Sequence, residues 1–144
     1  MKVGDTAKRT RTVTAKDIEL FTEMTGDRNP LHYDQALAEA SRFGGIIVQG
    51  GVTSGLLNAL VAEDLPGPGT VFLETNWRFA KAVRVGETIT ATVEVEHVRS
   101  DKPICKLVTT IRNAQGEPCV LGTATTYTMP LLDRKDGRAG SDVT

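Results

Sequence analysis

The chain has 144 residues, 40% of them hydrophobic, and its 17 basic and 18 acidic side chains give a formal net charge of −1. That length suits one domain with a true core, and the even charge balance excludes an electrostatic case for nucleic acid or an anionic membrane as the main partner. Residues 1–11 are polar, no apolar run reaches membrane-spanning length, and Cys105 and Cys119 lack metal-type spacing, so the expectation is a cytoplasmic protein with two reduced thiols.

Residues 3–12 are short, polar and β-branched, which predicts an opening edge strand. Thr14 followed three positions later by Asp17 predicts a capped helix start, and Ile18, Phe21 and Met24, with Leu20 alongside, mark its apolar face. Gly26 stops that helix. The next six residues, Asp27-Arg28-Asn29-Pro30-Leu31-His32, are the most informative in the chain. Pro30 fixes its own φ and moves Asn29 out of the α region, so the segment is a stiff loop instead of a regular helix. It holds a carboxylate and an imidazole five residues apart, the two groups that orient a water and pass protons near neutral pH. On spacing alone, a turn capped by Asp27 with His32 packed in a core explains them equally well.

Asp34 is suited to cap a second short helix over 35–41, which ends at Gly44-Gly45. Residues 49–61 carry no charge, and Val52, Leu56, Leu57, Leu60 and Val61 follow helical spacing. Such a helix is expected to be buried on nearly all sides. Gly50, Gly51 and Gly55 cost helix stability, so they have another reason. Close packing accounts best for Gly55. At Gly50, packing and an N–H group offered to a ligand at the helix N-terminus compete evenly.

The breaker Leu65-Pro66-Gly67-Pro68-Gly69 then changes the period to two. Val71, Leu73, Thr75, Trp77 and Phe79 alternate with Phe72, Glu74, Asn76 and Arg78, and after a turn at Val85-Gly86-Glu87 Ile89, Ala91, Val93 and Val95 alternate with Thr and Glu residues. His97 is expected on the side of Val93 and Val95, in a structural role. Turns at 100–103 and 113–116 lead to two more strands, predicting a meander. The fold class is therefore α+β: one domain over 1–130, a buried helix wrapped by an antiparallel sheet, and a polar tail over 131–144 that is expected to fray. Its open sheet edges favour pairing with a second copy.

The loop over 26–32, then Arg42-Phe43-Gly44-Gly45 and Ile47-Val48-Gln49-Gly50, resemble the MaoC-like hydratases. The closest resemblance is to the (R)-specific enoyl-CoA hydratases that supply polyhydroxyalkanoate synthesis. It continues through Leu65-Pro66-Gly67, Arg78-Phe79, Val85-Gly86-Glu87 and Asp101-Lys102-Pro103, and covers residues 3–130. The pair of motifs is fairly specific, whereas either alone would be weak.

This resemblance implies a hotdog fold with a long helix from Gly50 to about residue 63, usually dimeric, and hydration of trans-2-enoyl-CoA to (R)-3-hydroxyacyl-CoA. Asp27 and His32 are then the catalytic pair, with the Gly50 N–H as oxyanion hole. Asn29, Gln49, Gly51 and Asn58 are expected around the substrate pocket. Arg78, Lys81 and Arg84 are candidates for the CoA phosphates, although solvated strand ends carry such charges routinely. No metal and no cofactor beyond the thioester substrate is expected. Three positions depart from the family pattern: Gln49, where many members have His; Asn58, where a Ser is common; and Ala82, where Pro is frequent. The rival readings are a 3-hydroxyacyl-acyl-carrier-protein dehydratase, an acyl-CoA thioesterase and a non-catalytic acyl-binding module.

Overall fold

In the computed structural model, which describes residues 1–132, strand β1 (Thr6–Thr12) leads to helix α1 (Ala15–Thr25), a 3₁₀ turn (Pro30–His32), helix α2 (Gln35–Ala40) and helix α3 (Gly50–Glu63). The Thr14 hydroxyl accepts from Asp17 N while the Asp17 carboxylate accepts from Thr14 N, the reciprocal cap expected for α1. Gly26 ends α1 in the left-handed region, at φ 82°. Asp34 caps α2 through Leu37 N. The opening strand starts later than expected, because residues 2–5 form a turn in which Lys2 N donates to Asp5 Oδ2 at 2.9 Å.

Strands β2 (Thr70–Phe79), β3 (Thr88–Val98), β4 (Ile104–Asn113) and β5 (Pro118–Thr128) complete one antiparallel sheet in the order β1-β3-β4-β5-β2. Only β3, β4 and β5 form the expected meander. The chain crosses from β2 at one edge to β3, and β1 closes the other edge. The fraying expected of the tail falls, from residue 133 on, outside the described residues.

Helix α3 lies on the inner face of the sheet. Leu56, Leu57, Leu60 and Val61 pack there against Ile89, Ala91, Val93, Val95, Leu107, Ile111 and Val120, all buried. Each of the Leu, Ile and Val side chains in this set stabilises the fold by about 1.5–3 kcal/mol relative to exposure. Part of the opposite side of α3 is open: Gly50, Gly55 and Asn58 are exposed. Burial on nearly all sides is thus corrected to burial of the sheet-facing side with partial cover elsewhere, and a Cβ at Gly55 would meet nothing within 4 Å, so close packing does not account for that glycine.

Two irregularities redirect side chains that alternation alone would misplace. A register shift between Phe72 and Glu74 turns Phe72 and Trp77 inward together, edge to face with ring centroids 6.0 Å apart. Val71, Leu73 and Phe79 stay exposed. Trp77 stands opposite Gly122 and reaches past it to donate to Thr109 Oγ1 at 3.0 Å. A Cβ at position 122 would lie 1.8 Å from the Asn76 carbonyl oxygen, so only glycine fits. A second shift, between Val95 and His97, leaves His97 exposed and opposite Lys106. This corrects its expected position beside Val93 and Val95.

Candidate active site

The buried face of α1 runs through Asp17, Ile18 and Thr22, whereas Leu20 and Met24 are exposed. Of the expected stripe, Ile18 is buried and Phe21 half-buried, and Met24 is corrected to the exposed side. Thr22 turns inward because its hydroxyl has work there: it donates to the Asp27 carbonyl oxygen at 2.7 Å and pairs with the Tyr33 hydroxyl.

Asp27 follows the Gly26 cap and is held at three atoms. Its N–H donates to Thr25 Oγ1 at 3.2 Å, its carbonyl accepts from Thr22, and its Oδ1 accepts from Asn29 N at 3.1 Å. Asn29 Oδ1 accepts in turn from Leu31 N at 3.1 Å, capping the 3₁₀ turn with Pro30 at its start. The Asn29 side chain therefore braces the loop.

His32 is fixed through one ring nitrogen. Nδ1 lies 2.7 Å from the Ile47 carbonyl oxygen. A carbonyl only accepts, so Nδ1 carries the proton and Nε2 of the neutral ring keeps a free lone pair. Nε2 stands 3.9 Å from Asp27 Oδ2, with the imidazole 8% and the carboxylate 36% exposed. That separation is too long for a direct hydrogen bond, but a single water about 2.8 Å from each atom spans it.

Gly50 opens α3 after Gln49, so its N–H precedes the intrahelical ladder at the positive end of the helix. The Phe79 ring rests against it: a Cβ at position 50 would lie 3.1 Å from Phe79 Cε2. The Phe21 ring covers Gly51 more tightly, and a Cβ there would lie 2.2 Å from Phe21 Cζ. Packing thus explains Gly51, while Gly50 keeps both reasons.

The segment leading into α3 is tied to the acid–base loop. Ile47 N donates to the Leu31 carbonyl at 3.2 Å, and Ile47 O receives His32. Gln49 is 2% exposed, with Nε2 donating to Ile18 O and to Thr22 Oγ1, each at 3.2 Å. Its Oε1 is buried with no partner among the described residues. Gln49 is therefore packed against α1, a correction to its expected place on a pocket wall.

A cavity of about 230 Å³ opens beside Gly50, lined by Phe43, Phe79 and Val83 with Arg42 and Lys81 among its polar members. A wider groove of about 520 Å³ runs between α1 and α3, and Gly51 lines it with Phe21 and Met24. Asn58 is exposed on α3 and lines neither of these two cavities. Of the three cations expected near phosphates, Lys81 borders the Gly50 cavity, where Glu117 Oε2 lies 3.5 Å from its Nζ. Arg78 is exposed on β2 and lines neither cavity. Arg84 donates to the Phe43 and Ile46 carbonyls, so its guanidinium holds the 43–46 loop instead of facing a ligand. Arg42, whose Cζ sits 5.2 Å from the Phe43 ring centroid, takes its place at the cavity. Sequence reasoning missed Arg42, and it missed Thr22 because one Thr in an amphipathic helix carries no signal of its own.

Residues 2–115 match the family model described as MaoC like domain. The chain is 36% identical over 124 residues to the (R)-specific enoyl-CoA hydratase of Aeromonas caviae, covering 86% of this chain and 92% of that protein. It is 29% identical over 135 residues to the mitochondrial 3-hydroxyacyl-[acyl-carrier-protein] dehydratase of Arabidopsis thaliana, covering 92% of this chain and 80% of that one. The solved (R)-hydratase from A. caviae involved in PHA biosynthesis superimposes with a TM-score of 0.85 at 35% identity, over 90% of this chain and 98% of that chain. The helix wrapped by a five-stranded antiparallel sheet is the hotdog architecture that the sequence resemblance implied. With the family model spanning most of the chain, this protein belongs to the MaoC-like domain family.

Proposed function

We propose that this chain is a hydro-lyase that adds water to a trans-2-enoyl-CoA to give the (R)-3-hydroxyacyl-CoA, and runs the reverse dehydration at the same site. The observation that carries the reading is the 3.9 Å gap between His32 Nε2 and Asp27 Oδ2. Two acceptors at that distance take the two hydrogens of one water and leave its oxygen lone pair free to attack. The (R) outcome rests on the likeness to (R)-specific relatives.

In the forward direction the water oxygen bonds to C3 and its proton passes to Asp27. The C2–C3 π electrons move into the thioester, giving an enolate whose oxygen meets the Gly50 N–H at the positive end of α3. Asp27 then returns a proton to C2 and the carbonyl re-forms. His32, its Nδ1 proton committed to Ile47 O, accepts the other hydrogen bond of the water and fixes its orientation. General acid–base groups of this kind contribute roughly 10²–10⁴ in rate. The cavity beside Gly50, with Arg42 and Lys81, suits the pantetheine and phosphates of CoA. This chemistry needs no cofactor.

The same site acting on 3-hydroxyacyl groups carried by acyl carrier protein is the second reading, favoured by the 29% identical dehydratase relative. We further propose a homodimer, because among the described residues β2 is an unpaired sheet edge carrying exposed Val71, Leu73 and Phe79. Two buried free thiols, Cys105 and Cys119, suit a reducing compartment such as the cytoplasm.

The test is incubation with a panel of trans-2-enoyl-CoAs, following loss of the conjugated thioester, chirality of the product and release of free CoA thiol. (R)-3-hydroxyacyl-CoA without thiol release supports the hydratase. Thiol release without hydration would make the chain a thioesterase, and turnover of carrier-protein thioesters alone would favour the second reading.

A further inference from the structure

We propose that Thr22 and Gln49 are positioning residues that set the Asp27 carboxylate at a fixed separation from the Gly50 N–H. The inference rests on the acid–base and oxyanion reading above and extends it to two side chains that touch no substrate.

A threonine hydroxyl has one proton and two lone pairs. At Thr22 the proton goes to the Asp27 carbonyl oxygen, 2.7 Å away, and the lone pairs face Gln49 Nε2, at 3.2 Å, and the Tyr33 hydroxyl. Its capacity is full. Gln49 in turn places one amide proton on Thr22 and the other on Ile18 O, both on α1. Gln49 is also the residue directly before Gly50. One side-chain link therefore joins the backbone of Asp27 to the start of the helix that offers the oxyanion donor.

The other member of the pair is tied to the same segment from the opposite side, since His32 Nδ1 is bonded to Ile47 O. Residues 47–49 thus serve as a common reference for the carboxylate, the imidazole and the Gly50 N–H. A purely packing role at position 49 would call for an apolar side chain. The amide instead spends both of its N–H donors on α1, at Ile18 O and Thr22 Oγ1, which an apolar side chain of the same size could not do.

The test uses steady-state hydration of trans-2-butenoyl-CoA by the full chain. Thr22→Val keeps the shape and removes the hydroxyl. It should lower kcat about ten- to a hundredfold, the scale set by displacements near 1 Å, while KM stays within about twofold. Thr22→Ser should restore most of the loss. Gln49→Met, which reaches the same hydroxyl from the other side, should give a kcat-only loss, and the Thr22→Val/Gln49→Met double variant should be no worse than about the larger single effect. In an Asp27→Asn background, Thr22→Val should cost nothing further, because it acts through that carboxylate.

Normal kcat in Thr22→Val beside an impaired Asp27→Asn would overturn this inference alone. So would an equal fold-loss in the Asp27→Asn background, which marks general damage. Full activity of Asp27→Asn would overturn the acid–base reading and this inference with it. If Thr22→Val does not fold, Gln49→Met decides: a loss carried by kcat supports the link, and unchanged kcat rejects it.

Discussion

His32 and Asp27 meet across a gap and not through a bond: Nε2 and Oδ2 are 3.9 Å apart, while Nδ1 is committed to the Ile47 carbonyl at 2.7 Å. The Ile47 bond fixes the tautomer, so with the ring neutral both groups facing the gap are acceptors. Whatever fills it must bring two protons, and water is the smallest molecule that does so.

Replacing His32 by Ala removes one of those acceptors. The expected result is a drop in kcat of about a hundredfold or more. Because the ring is 8% exposed and Ile47 O loses its partner, the variant should also lose about 1–3 kcal/mol of stability. Hydration kinetics and urea unfolding read the two effects separately. A destabilised variant with unchanged kcat would return His32 to the role of a packed core histidine.

Gly50 separates a donor from a shape. Gly50→Ala keeps the N–H, and its Cβ meets only the exposed Phe79 ring at 3.1 Å, so activity should remain within about fivefold. Gly50→Pro removes the donor at the first helical position, where proline is tolerated, and Gln49 already has the extended φ −60°, ψ 142° that a following proline requires. The proline variant should fold and bind acyl-CoA but turn over about 10²–10³-fold more slowly. Equal kcat in the two variants would remove the Gly50 N–H from the mechanism.

Some of this site is legible in the chain and some is not. The Asp27–Pro30–His32 loop can be read because proline and glycine chemistry is local, and the capping box at Thr14 and Asp17 for the same reason. The α3 core follows from helical spacing. Gln49 and Arg84 misled because an exposed-looking polar side chain gives no sign of the backbone carbonyl it will find: Ile18 O for one, Phe43 O and Ile46 O for the other. Phe72 and His97 were misplaced by one-residue shifts in β2 and β3, which reverse the faces beyond them and have no marker in the sequence.

The two cations beside the Gly50 cavity should act on binding alone. Arg42→Ala and Lys81→Ala should each raise KM for enoyl-CoA about two- to fivefold, the scale of exposed ion pairs, with kcat unchanged. An N-acetylcysteamine thioester, which lacks the phosphates, should show no such change. A matching loss with that short substrate would mean the residues shape the cavity without meeting phosphate.

Acid stability should depend on Asp17. Burial disfavours its charge, but the Arg11 hydrogen bond, the Thr14 N–H and the Arg11 charge outweigh that and hold the carboxyl below its ordinary value of 3.8. A depressed folded-state pKa stabilises the native state above the unfolded-state value, and the contribution is lost as pH falls through the folded one. Asp17→Asn should therefore unfold at lower urea than the parent at pH 7, by about 1 kcal/mol, and the two should converge as pH drops below the carboxylate range. A constant difference across that range would mean the effect is not the charge.

The most direct measurement is hydration of trans-2-enoyl-CoA by Asp27→Asn beside the parent chain, with chiral analysis of the product. The amide keeps the size of the side chain and cannot take a proton from water. The parent should yield (R)-3-hydroxyacyl-CoA, and the variant, folded and with KM little changed, should lose about 10²–10⁴ in kcat. Near-parental turnover by Asp27→Asn, or an (S) product from the parent, would contradict the proposed mechanism.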